Sequence, residues 1–508
     1  MAILYNTDET LRERVSDCLQ DDFKHDAIKT AQEAFYVKRG ALVEEMGEGW
    51  QQLRDRAAAM RNHVTENLDY YVRQFATNAE ANGYTMHYAP SGEDALWEVL
   101  DIFEEHGAAY AVKSKSMMTE EVGLNEILEE AGIKIVETDC AENILQTAES
   151  KPSHIVVPAL HFNREAIAQI YREKRGYEGS SVPEEITHFL RKILREDFLQ
   201  AEVGIRGCNV AVAQTGSVTL VTNEGNGRMV DTLPKVQIIF VGIDRIVPDL
   251  ESLDTMMALL PRSAVGSKMT AYFSLDSGPR GAGELDGPVE AHIILMDNGR
   301  SGFLHTEFQA MLRCMRCGAC LNICPVYRHI TGHGYGSIYP GPRGIVLTAG
   351  LVGYDQIDTM AFACTLCGAC AEHCPCEIPL HDLIRQHRIN IVDQHKNHAA
   401  EVPVFKGLEL FWSNVPVYMA AMTVGRPVMQ AIASDNMTLD DNSTWIPIVK
   451  GWTATRDFDV LSPIRFRTWF KAHKENQTYT TYSPTSDGPQ APRSANATEE
   501  QSLEGGER

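Results

Sequence analysis

Two cysteine runs with the same spacing constrain this chain more than any other feature. The first reads CMRCGACLNICP at 314–325, and the second reads CTLCGACAEHCPC at 364–376. Each contains C-x2-C-x2-C-x3-C-P, the bacterial pattern for [4Fe–4S] clusters, in which the fourth cysteine of a run ligates the cluster of the other run. The sequence therefore predicts two clusters whose ligands cross between the runs.

Crossed ligation divides eight thiols into two sets of four. The first thiol set, predicted to hold one [4Fe–4S] cluster, comprises Cys314, Cys317, Cys320 and Cys374. The second thiol set, predicted to hold the other cluster, comprises Cys364, Cys367, Cys370 and Cys324. In each run a glycine follows the second cysteine, at Gly318 and Gly368, because a residue without Cβ lets the backbone curl around one face of a cubane.

Two other uses of paired cysteine runs suit these residues less well. Structural zinc sites also take four cysteines each, but they usually draw them from separated C-x2-C pairs. Disulfide bonds would require an oxidising compartment. Cys376 is a ninth thiol in the region, and it is either an additional buried cysteine or a competitor of Cys374 for the cluster.

Charge and composition exclude some partners. The 508 residues predict two or three domains, and the net charge of −23 argues against nucleic acid as a partner, because phosphate contacts need Lys and Arg. No secretory signal is evident at the amino end. The most apolar stretch, 415–433, is interrupted by Arg426 and Pro427. We therefore expect a cytoplasmic protein without a transmembrane segment, for which peripheral membrane association stays open.

The pattern along the chain predicts an α/β domain followed by an α-helical two-cluster ferredoxin domain. Strand-like and helix-like segments alternate from Tyr84 to Leu295, which is typical of a parallel sheet with helices on both faces. Around the cysteine runs the predicted segments are helices at 303–313, 345–351, 356–363 and 379–392. The predicted domains are an amino-terminal helical segment at 1–66, the α/β domain at 67–304, the two-[4Fe–4S] ferredoxin-type domain at 305–392, a carboxyl-terminal region at 393–475 and a disordered tail at 476–508. We expect the amino-terminal segment to pack against the α/β domain. In the carboxyl-terminal region, the expected packing or interface residues are Trp412, Trp445, Trp452 and Trp469.

One polar loop of the α/β domain is a candidate ligand site. KSKS at 113–116 follows a predicted strand and precedes a predicted helix. Ligands of open parallel sheets bind outside the carboxyl ends of the strands, so this loop, with Lys115 at its centre, could bind an anion. The same residues are equally typical of a helix cap with solvated lysines.

Two later loops and two histidines carry further candidate groups. Glu224, within NEGNGR at 223–228, is a candidate general base or nucleophile, or else a turn residue of a hairpin, and Gln214 lies in a loop between two predicted strands. His154 and His161 flank a predicted strand at 154–158. We interpret both histidines as structural, because no third metal ligand is spaced with them.

Motifs for other cofactors are absent from the sequence. The glycines at 278–283 and 332–336 lack the G-x-G-x-x-G spacing after a strand that binds dinucleotides. No G-x-x-x-x-G-K-[ST] motif occurs either. The sequence therefore predicts no flavin, nicotinamide or nucleoside triphosphate site.

Taken together, these motifs resemble those of the lactate utilization protein B family, iron–sulfur proteins of bacterial L-lactate oxidation. The resemblance covers about residues 20 to 470 and includes both cysteine runs. It also rests on KSKSMMTEEVGLN at 113–125, PSHIVVPALH at 152–161, QTGSVTLVTNEGNGR at 214–228, DNGRSGF at 297–303 and YGSIYPGPRG at 335–344. Arg343 and Cys376 depart from the family pattern.

The resemblance implies an α/β domain of the lactate-utilization type, distantly like the isomerase and coenzyme A transferase fold. It also implies a helical module with two [4Fe–4S] clusters, to which the eight cysteine ligands carry over one for one. Two partners are implied as well: a Cys-rich iron–sulfur subunit and a second lactate-utilization α/β protein.

We therefore predict an electron-transfer subunit of a multi-protein L-lactate dehydrogenase complex, in which lactate becomes pyruvate and electrons leave through two clusters. A subunit for another 2-hydroxy acid, such as glycolate, fits the same residues. An alternative of a different class makes the α/β domain an enzyme or an anion- or acyl-binding module, with Lys115, Gln214 and Glu224 around the substrate and the clusters as accessories. In a third, the α/β domain is an inert docking platform.

Overall fold

In the computed structural model, the chain forms two compact units, Met1–Asn397 and His398–Arg508. The structure describes residues 3–357, 359–394, 401–433, 438–439, 450, 453, 457–462 and 464–473. Trp445, Trp452 and the predicted tail at 476–508 lie outside these residues.

Four helices open the first unit: α1 (Leu11–Gln20), α2 (Asp22–Met46), α3 (Glu48–Glu66) and α4 (Leu68–Ala81). They pack against the α/β part of the chain, as expected, with the buried Arg61 on α3 donating to the carbonyl of Ile246 at 2.6 Å. They also contact the cysteine runs, which was not expected. Gln32 donates to the carbonyl of Leu321 at 2.7 Å, and Arg54 Nε donates to the carbonyl of Cys374 at 3.1 Å.

Ten strands follow in the first unit. Their bounds are β1 Thr85–Ala89, β2 Tyr110–Lys113, β3 Lys134–Glu137, β4 Val203–Gly207, β5 Ala211–Val212, β6 Ser217–Thr222, β7 Val236–Gly242, β8 Ile246–Val247, β9 Tyr272–Asp276 and β10 Glu290–Met296. Six of them form the predicted parallel sheet, in the order β1-β10-β7-β4-β2-β3. The other four form a smaller mixed sheet, in the order β8-β5-β6-β9, which the sequence analysis did not anticipate.

Helices cover the parallel sheet on both faces, and its central strands are buried along their whole length. Strand β7 reads VQIIFVG and is buried throughout, as expected for a strand covered on both sides. Ile238 and Phe240 pack on one face of the sheet, and Ile239 and Val241 pack on the other. The helices of this region are α5 Gly92–His106, α6 Met117–Val122, α7 Leu124–Glu130, α8 Cys140–Ala148, α9 Arg164–Arg175, α10 Pro183–Gln200, α11 Asn226–Thr232 and α12 Leu250–Val265.

The cysteine-rich part of the chain is helical, as predicted, but its helices are short. They are α13 Ala319–Asn322, α14 Pro325–Ile330, α15 Gly341–Val352, α16 Ala369–Glu372 and α17 Leu380–Asp393. Short 3-10 turns lie at Ser301–Phe303, Gln309–Arg313, His333–Tyr335 and Met360–Phe362.

Three predicted elements are wrong. The helix predicted at 303–313 is replaced by two 3-10 turns. His305 has a positive φ of 60°, and the Thr306 hydroxyl donates a hydrogen bond to the carbonyl of Phe303, which a helix would use for its own backbone. The helix predicted at 356–363 is reduced to the 3-10 turn Met360–Phe362. The strand predicted at 154–158 is a closed turn.

The second unit contains helices at Glu401–Ser413, Val415–Ala431 and Phe466–His473. A two-residue strand at Thr438–Leu439 pairs antiparallel with Phe458–Asp459. Trp412 and Trp469 are largely exposed. Over the described ranges of both units, none of the helices has the length and apolarity that crossing a bilayer requires.

Candidate cluster sites and an adjoining cavity

The two cysteine runs adopt the same backbone conformation. The residue two positions after the first cysteine has a positive φ in both runs, 60° at Arg316 and 56° at Leu366. Its N–H points at that cysteine's sulfur, at N to Sγ distances of 3.4 Å and 3.3 Å, respectively. Gly318 and Gly368 follow with φ values of 79° and 82°. The expectation that both positions need glycine is therefore confirmed.

The fold brings the first three cysteines of each run close to the fourth cysteine of the other run. Burial raises the pKa of Cys317 to about 12, and the neighbouring thiols of Cys374 and Cys314 act in the same direction. Burial also raises the pKa of Cys370 to about 12, with a further increase from the other three members of the second thiol set. The thiols of each predicted set thus lie near one another, and Cys376 lies beside the first set as a fifth thiol.

A zinc ion and a [4Fe–4S] cluster require different spacings of their four ligand sulfurs. Four sulfurs at about 2.3 Å from one zinc ion lie roughly 3.8 Å apart. Among the described residues, no three cysteine sulfurs lie within 4.8 Å of one another. A [4Fe–4S] cluster keeps its ligand sulfurs further apart, because each sulfur binds a different iron.

A buried guanidinium beside the first thiol set gives an independent indication of a negatively charged occupant. Arg343 is 3% exposed and lines the same small cavity as the four thiols of this set. Its Nε and Nη1 atoms have no hydrogen-bond partner within the described part of the chain, and the guanidinium lies 4.3 Å from the centre of the Tyr339 ring. An unpaired buried cation is costly unless an anion is close by. An iron–sulfur cube with four thiolates would provide that negative charge, so the residues present fit such a group.

The second thiol set lies closer to solvent. Cys367 is exposed and Cys364 is half-buried, whereas Cys370 and Cys324 are buried. Arg388 donates to the carbonyl of Cys364 at 2.6 Å. The first set has no exposed member.

Cys376 lies at the edge of the first set and is completely buried. Its position has no counterpart in the first run, whereas Cys374 corresponds to Cys324, since each directly precedes a proline. Burial raises the pKa of Cys376 well above its usual value, and the neighbouring thiols of the first set add to this. The symmetry between the runs therefore favours Cys374 over Cys376 as the fourth member.

A cavity of about 410 Å³ lies at the carboxyl ends of the parallel strands, where the sequence predicted a ligand site. Ser114, Lys115 and Ser116 line it after β2, and Glu224 lines it after β6. Lys113, by contrast, is fully buried below the cavity, where it forms ion pairs with Glu120 and Glu137. Residues lining the cavity also include Met315 and Arg316, from the first cysteine run.

Lys115 and Glu224 are two of the charged residues that line this cavity, together with Asp139, Arg245 and Arg316. Lys115 Nζ donates to the carbonyl of Val156 at 2.7 Å, which holds the ammonium at the cavity wall. Glu224 accepts the N–H of Cys140 at 2.8 Å and is accessible from the cavity. Burial raises the pKa of Glu224 to about 7, and the carboxylate of Asp139 acts in the same direction. A group with that pKa can accept or release a proton near neutral pH.

Gln214 does not belong to this site, contrary to the expectation that it flanks a substrate with Lys115 and Glu224. It lies at the opposite end of the β5–β6 hairpin, where Asn78 donates to its carbonyl at 3.1 Å. The hairpin's cavity end is instead formed by Asn209 and the residues that follow Leu220.

The two histidines are structural, as interpreted from the sequence. His154 Nδ1 accepts the N–H groups of Val156 and Val157 at 3.0 and 3.1 Å, and these bonds close the turn that replaces the predicted strand. His161 is hydrogen-bonded to Ser153 Oγ at 3.0 Å. Burial lowers the pKa of His154 to about 4, so it stays neutral in this role.

An ion-pair network that sequence analysis missed joins the cavity to the first cysteine run. Asp244 is paired with Arg245, with Arg316 at 3.4 Å and with Arg300 at 3.3 Å. Arg245 also donates to the carbonyl of Cys314. Burial alone would raise the pKa of Asp244, but the three guanidinium groups hold it well below its usual range. These arginines are far apart in sequence, so no local motif could have revealed them.

Known families match both parts of the first unit. The LUD domain family matches residues 72–296, and the 4Fe-4S dicluster domain family matches residues 310–378. Lactate utilization protein B 2 of Bacillus mycoides (strain KBAB4) is 44% identical over 470 residues, which cover 92% of this chain and 98% of that protein. Lactate utilization protein B of Bacillus cereus (strain B4264) shows the same identity and coverage. A crystal structure of a DUF162 family protein from Deinococcus radiodurans aligns with 45% of this chain at 13% identity, but its TM-score of 0.27 is too low to support an argument about the fold.

Proposed function

The chain belongs to the lactate utilization protein B family, and from this premise we propose that it is the iron–sulfur electron-transfer subunit of an L-lactate oxidation system. The match to a 4Fe-4S dicluster domain makes it an iron–sulfur protein, and we propose two [4Fe–4S] clusters, one in each thiol set. When bound, such clusters supply one-electron redox chemistry. The protein's part is to hold them in place and to set their surroundings.

The contact between the α/β cavity and the first cysteine run carries this proposal. Met315 and Arg316 lie between cysteines of the first thiol set and line the cavity. Arg245, which also lines the cavity, binds the carbonyl of Cys314. An oxidation at this cavity, or at a partner docked over it, would therefore take place beside the first set. The exposed Cys367 places the second set where another protein can approach it.

We further propose that lactate oxidation requires two partners, a Cys-rich iron–sulfur subunit and a second lactate-utilization α/β protein. L-lactate loses two electrons and two protons to become pyruvate, whereas each cluster takes one electron at a time. A carrier with two one-electron sites can receive both electrons of one turnover.

The test measures cluster reduction by L-lactate in anaerobic, cluster-loaded full-length protein, with and without the two partners. We expect bleaching of the cluster absorption and a paramagnetic signal only when the partners are present. A fully loaded protein that is not reduced in either mixture, although dithionite reduces it, would contradict the electron-transfer role.

A second candidate function is supported by Lys115 and Glu224, which share the cavity. A lysine can bind the carboxylate of a 2-hydroxy acid, and a glutamate with a pKa near 7 can accept the hydroxyl proton. The α/β domain would then be an enzyme, or an anion- or acyl-binding module, in its own right.

Reduction of the purified chain by lactate alone would favour this second function. In that case we expect Glu224→Gln to abolish the reduction and Gln214→Ala to leave it unchanged, because Gln214 is at the far end of the hairpin. Equal loss in both variants would exclude the cavity as the site of chemistry.

A further inference from the structure

A second constellation of ligating side chains lies at the other end of the parallel sheet. His106 is the last residue of α5, and Glu290 and His292 lie at the start of β10. Glu290 Oε2 is 3.6 Å from His106 Nε2, and Glu290 Oε1 is 3.7 Å from His292 Nε2. Over the described part of the chain, this is the one group of three His, Cys, Asp or Glu residues whose ligand atoms all lie within 4.8 Å of one another.

Both imidazole nitrogens that face this point are buried, and neither has a hydrogen-bond partner among the described residues. The unpartnered atoms are His106 Nε2 and His292 Nε2. The His292 side chain is only 3% exposed, so water from bulk solvent does not readily satisfy it. A buried polar atom without a partner costs about 1–3 kcal/mol. Two such atoms directed at the same carboxylate are arranged as donors to a cation between them.

The other nitrogen of His292 is held by a chain of hydrogen bonds. His292 Nδ1 lies 3.1 Å from His87 Nε2, and His87 Nδ1 lies 2.6 Å from Glu98 Oε2. If Glu98 is ionised, it accepts the Nδ1–H of His87, whose Nε2 then accepts the Nδ1–H of His292. This assignment of protons leaves the Nε2 lone pair of His292 free to bind a cation. Carboxylate–histidine pairs of this kind commonly orient metal-binding histidines.

We propose that His106, Glu290 and His292 bind a divalent transition-metal ion, with Zn²⁺ as the best fit. Two histidines and a carboxylate are an established zinc ligand set, and water would complete the tetrahedron. Ligand atoms about 2.0–2.1 Å from a tetrahedral ion lie roughly 3.3–3.5 Å apart. The two histidine nitrogens lie 3.6 and 3.7 Å from different oxygens of Glu290, so small side-chain rotations would bring the three ligands to that spacing. The ion would tie the end of α5 to β10 and, through His87, to the edge strand β1.

This site is separate from the thiol sets and from the cavity. It lies at the amino end of β10, whereas the cavity lies at the carboxyl ends of the strands. The inference does not depend on the redox function proposed above.

The test is anaerobic equilibrium dialysis of the cluster-loaded full chain against Zn²⁺, with zinc and iron counted by mass spectrometry. We expect one zinc per chain in addition to the iron. His106→Ala and Glu290→Gln should each weaken zinc binding at least tenfold while the iron content stays constant. Glu98→Gln should weaken zinc binding about 10- to 100-fold, because it removes the negative charge that makes the hydrogen-bonded histidines better metal ligands.

Two controls separate this site from other zinc ligands. His188→Ala removes an exposed histidine on α10 and should leave zinc binding unchanged. Zinc X-ray absorption should show nitrogen and oxygen ligands only. Sulfur ligands, no bound zinc in the unaltered chain, or unchanged affinity in His106→Ala and Glu290→Gln would overturn the assignment.

Discussion

The two thiol sets share a backbone but differ in their surroundings. In the first run, Cys317 and Gly318 are buried, whereas their counterparts Cys367 and Gly368 are exposed and half-buried. Arg343 faces the first set with unpartnered nitrogens. Arg388, beside the second set, is bound to the carbonyls of Ala361 and Cys364. One sequence pattern therefore gives two environments.

The comparison shows that the ligand spacing and the surrounding residues determine different properties of a cluster. Spacing selects the kind of metal group, whereas nearby charge, hydrogen bonds and exposure tune its reduction potential. The enclosed first set lies next to the α/β cavity, and the second set lies at the surface. We therefore expect equal iron content in the two sets but unequal sensitivity to substitution around them.

The largest expected effect comes from removing one ligand of each set. Cys317→Ala and Cys367→Ala should each lower the iron content by about half, because each removes a ligand of one cluster. Cys317→Ala should also abolish the support of growth on lactate. The measurement is iron and acid-labile sulfide per chain after anaerobic purification. A variant that keeps eight irons would refute the ligand assignment at that position.

Replacing Gly318 or Gly368 with alanine should lower the stability of the protein by different amounts in the two cysteine runs. Both glycines have a positive φ, which costs a residue with a Cβ about 1–2 kcal/mol. At Gly318 the new Cβ would also lie 3.2 Å from His154 Cε1 and from Val156 Cγ2, whereas at Gly368 the nearest atom, of His381, is 3.9 Å away. Gly318→Ala should therefore lower the anaerobic melting temperature more than Gly368→Ala. The reverse order would mean that the environment of Gly318 is less rigid than the contacts indicate.

A smaller effect is expected from the two arginines. Arg343→Met removes a buried positive charge beside the first set, which should lower the midpoint potential of one cluster by about 60 mV, or about 1.4 kcal/mol for one electron. Arg388→Met should shift the potential of the other cluster several-fold less, because that guanidinium is half-buried and bound to carbonyls. Paramagnetic resonance during redox titration measures both shifts, with iron content as the control. Equal shifts in midpoint potential in the two variants would show that Arg343 and Arg388 affect their clusters to the same extent.

The smallest effect is expected from Cys376→Ala. Cys376 is buried beside the first set but has no counterpart in the first run. Iron content should therefore equal that of the unaltered protein. Loss of one cluster would instead make Cys376 a ligand in place of Cys374.

Much of this architecture follows from local patterns in the sequence. Strand β7 is largely apolar. Helix α5 is capped by Ser91, whose hydroxyl accepts the N–H of Asp94, and it ends before Gly107, which has a φ of 59°. Such signals act within a few residues, so they can be recognised from the sequence alone. The cysteine spacing is equally local.

The features that were missed depend on contacts between distant residues. Strand β4 was overlooked because it contains Arg206, whose charge is compensated by Asp231 and by Asp276 at 2.8 Å. The constellation of His106, Glu290 and His292 is also assembled only by the fold. His154 was placed in a strand because its apolar neighbours suggest one, whereas its imidazole closes a turn.

The hydrogen bonds from the amino-terminal helices to the cysteine runs bear on how the protein is made. Gln32 binds carbonyls of Leu321 and Cys324, and Arg54 binds that of Cys374. A ribosome completes these helices long before it reaches the residues that they hold. The amino-terminal helices can therefore form these hydrogen bonds only after the cysteine runs have been synthesised. Iron can be enclosed only once most of the polypeptide has left the ribosome.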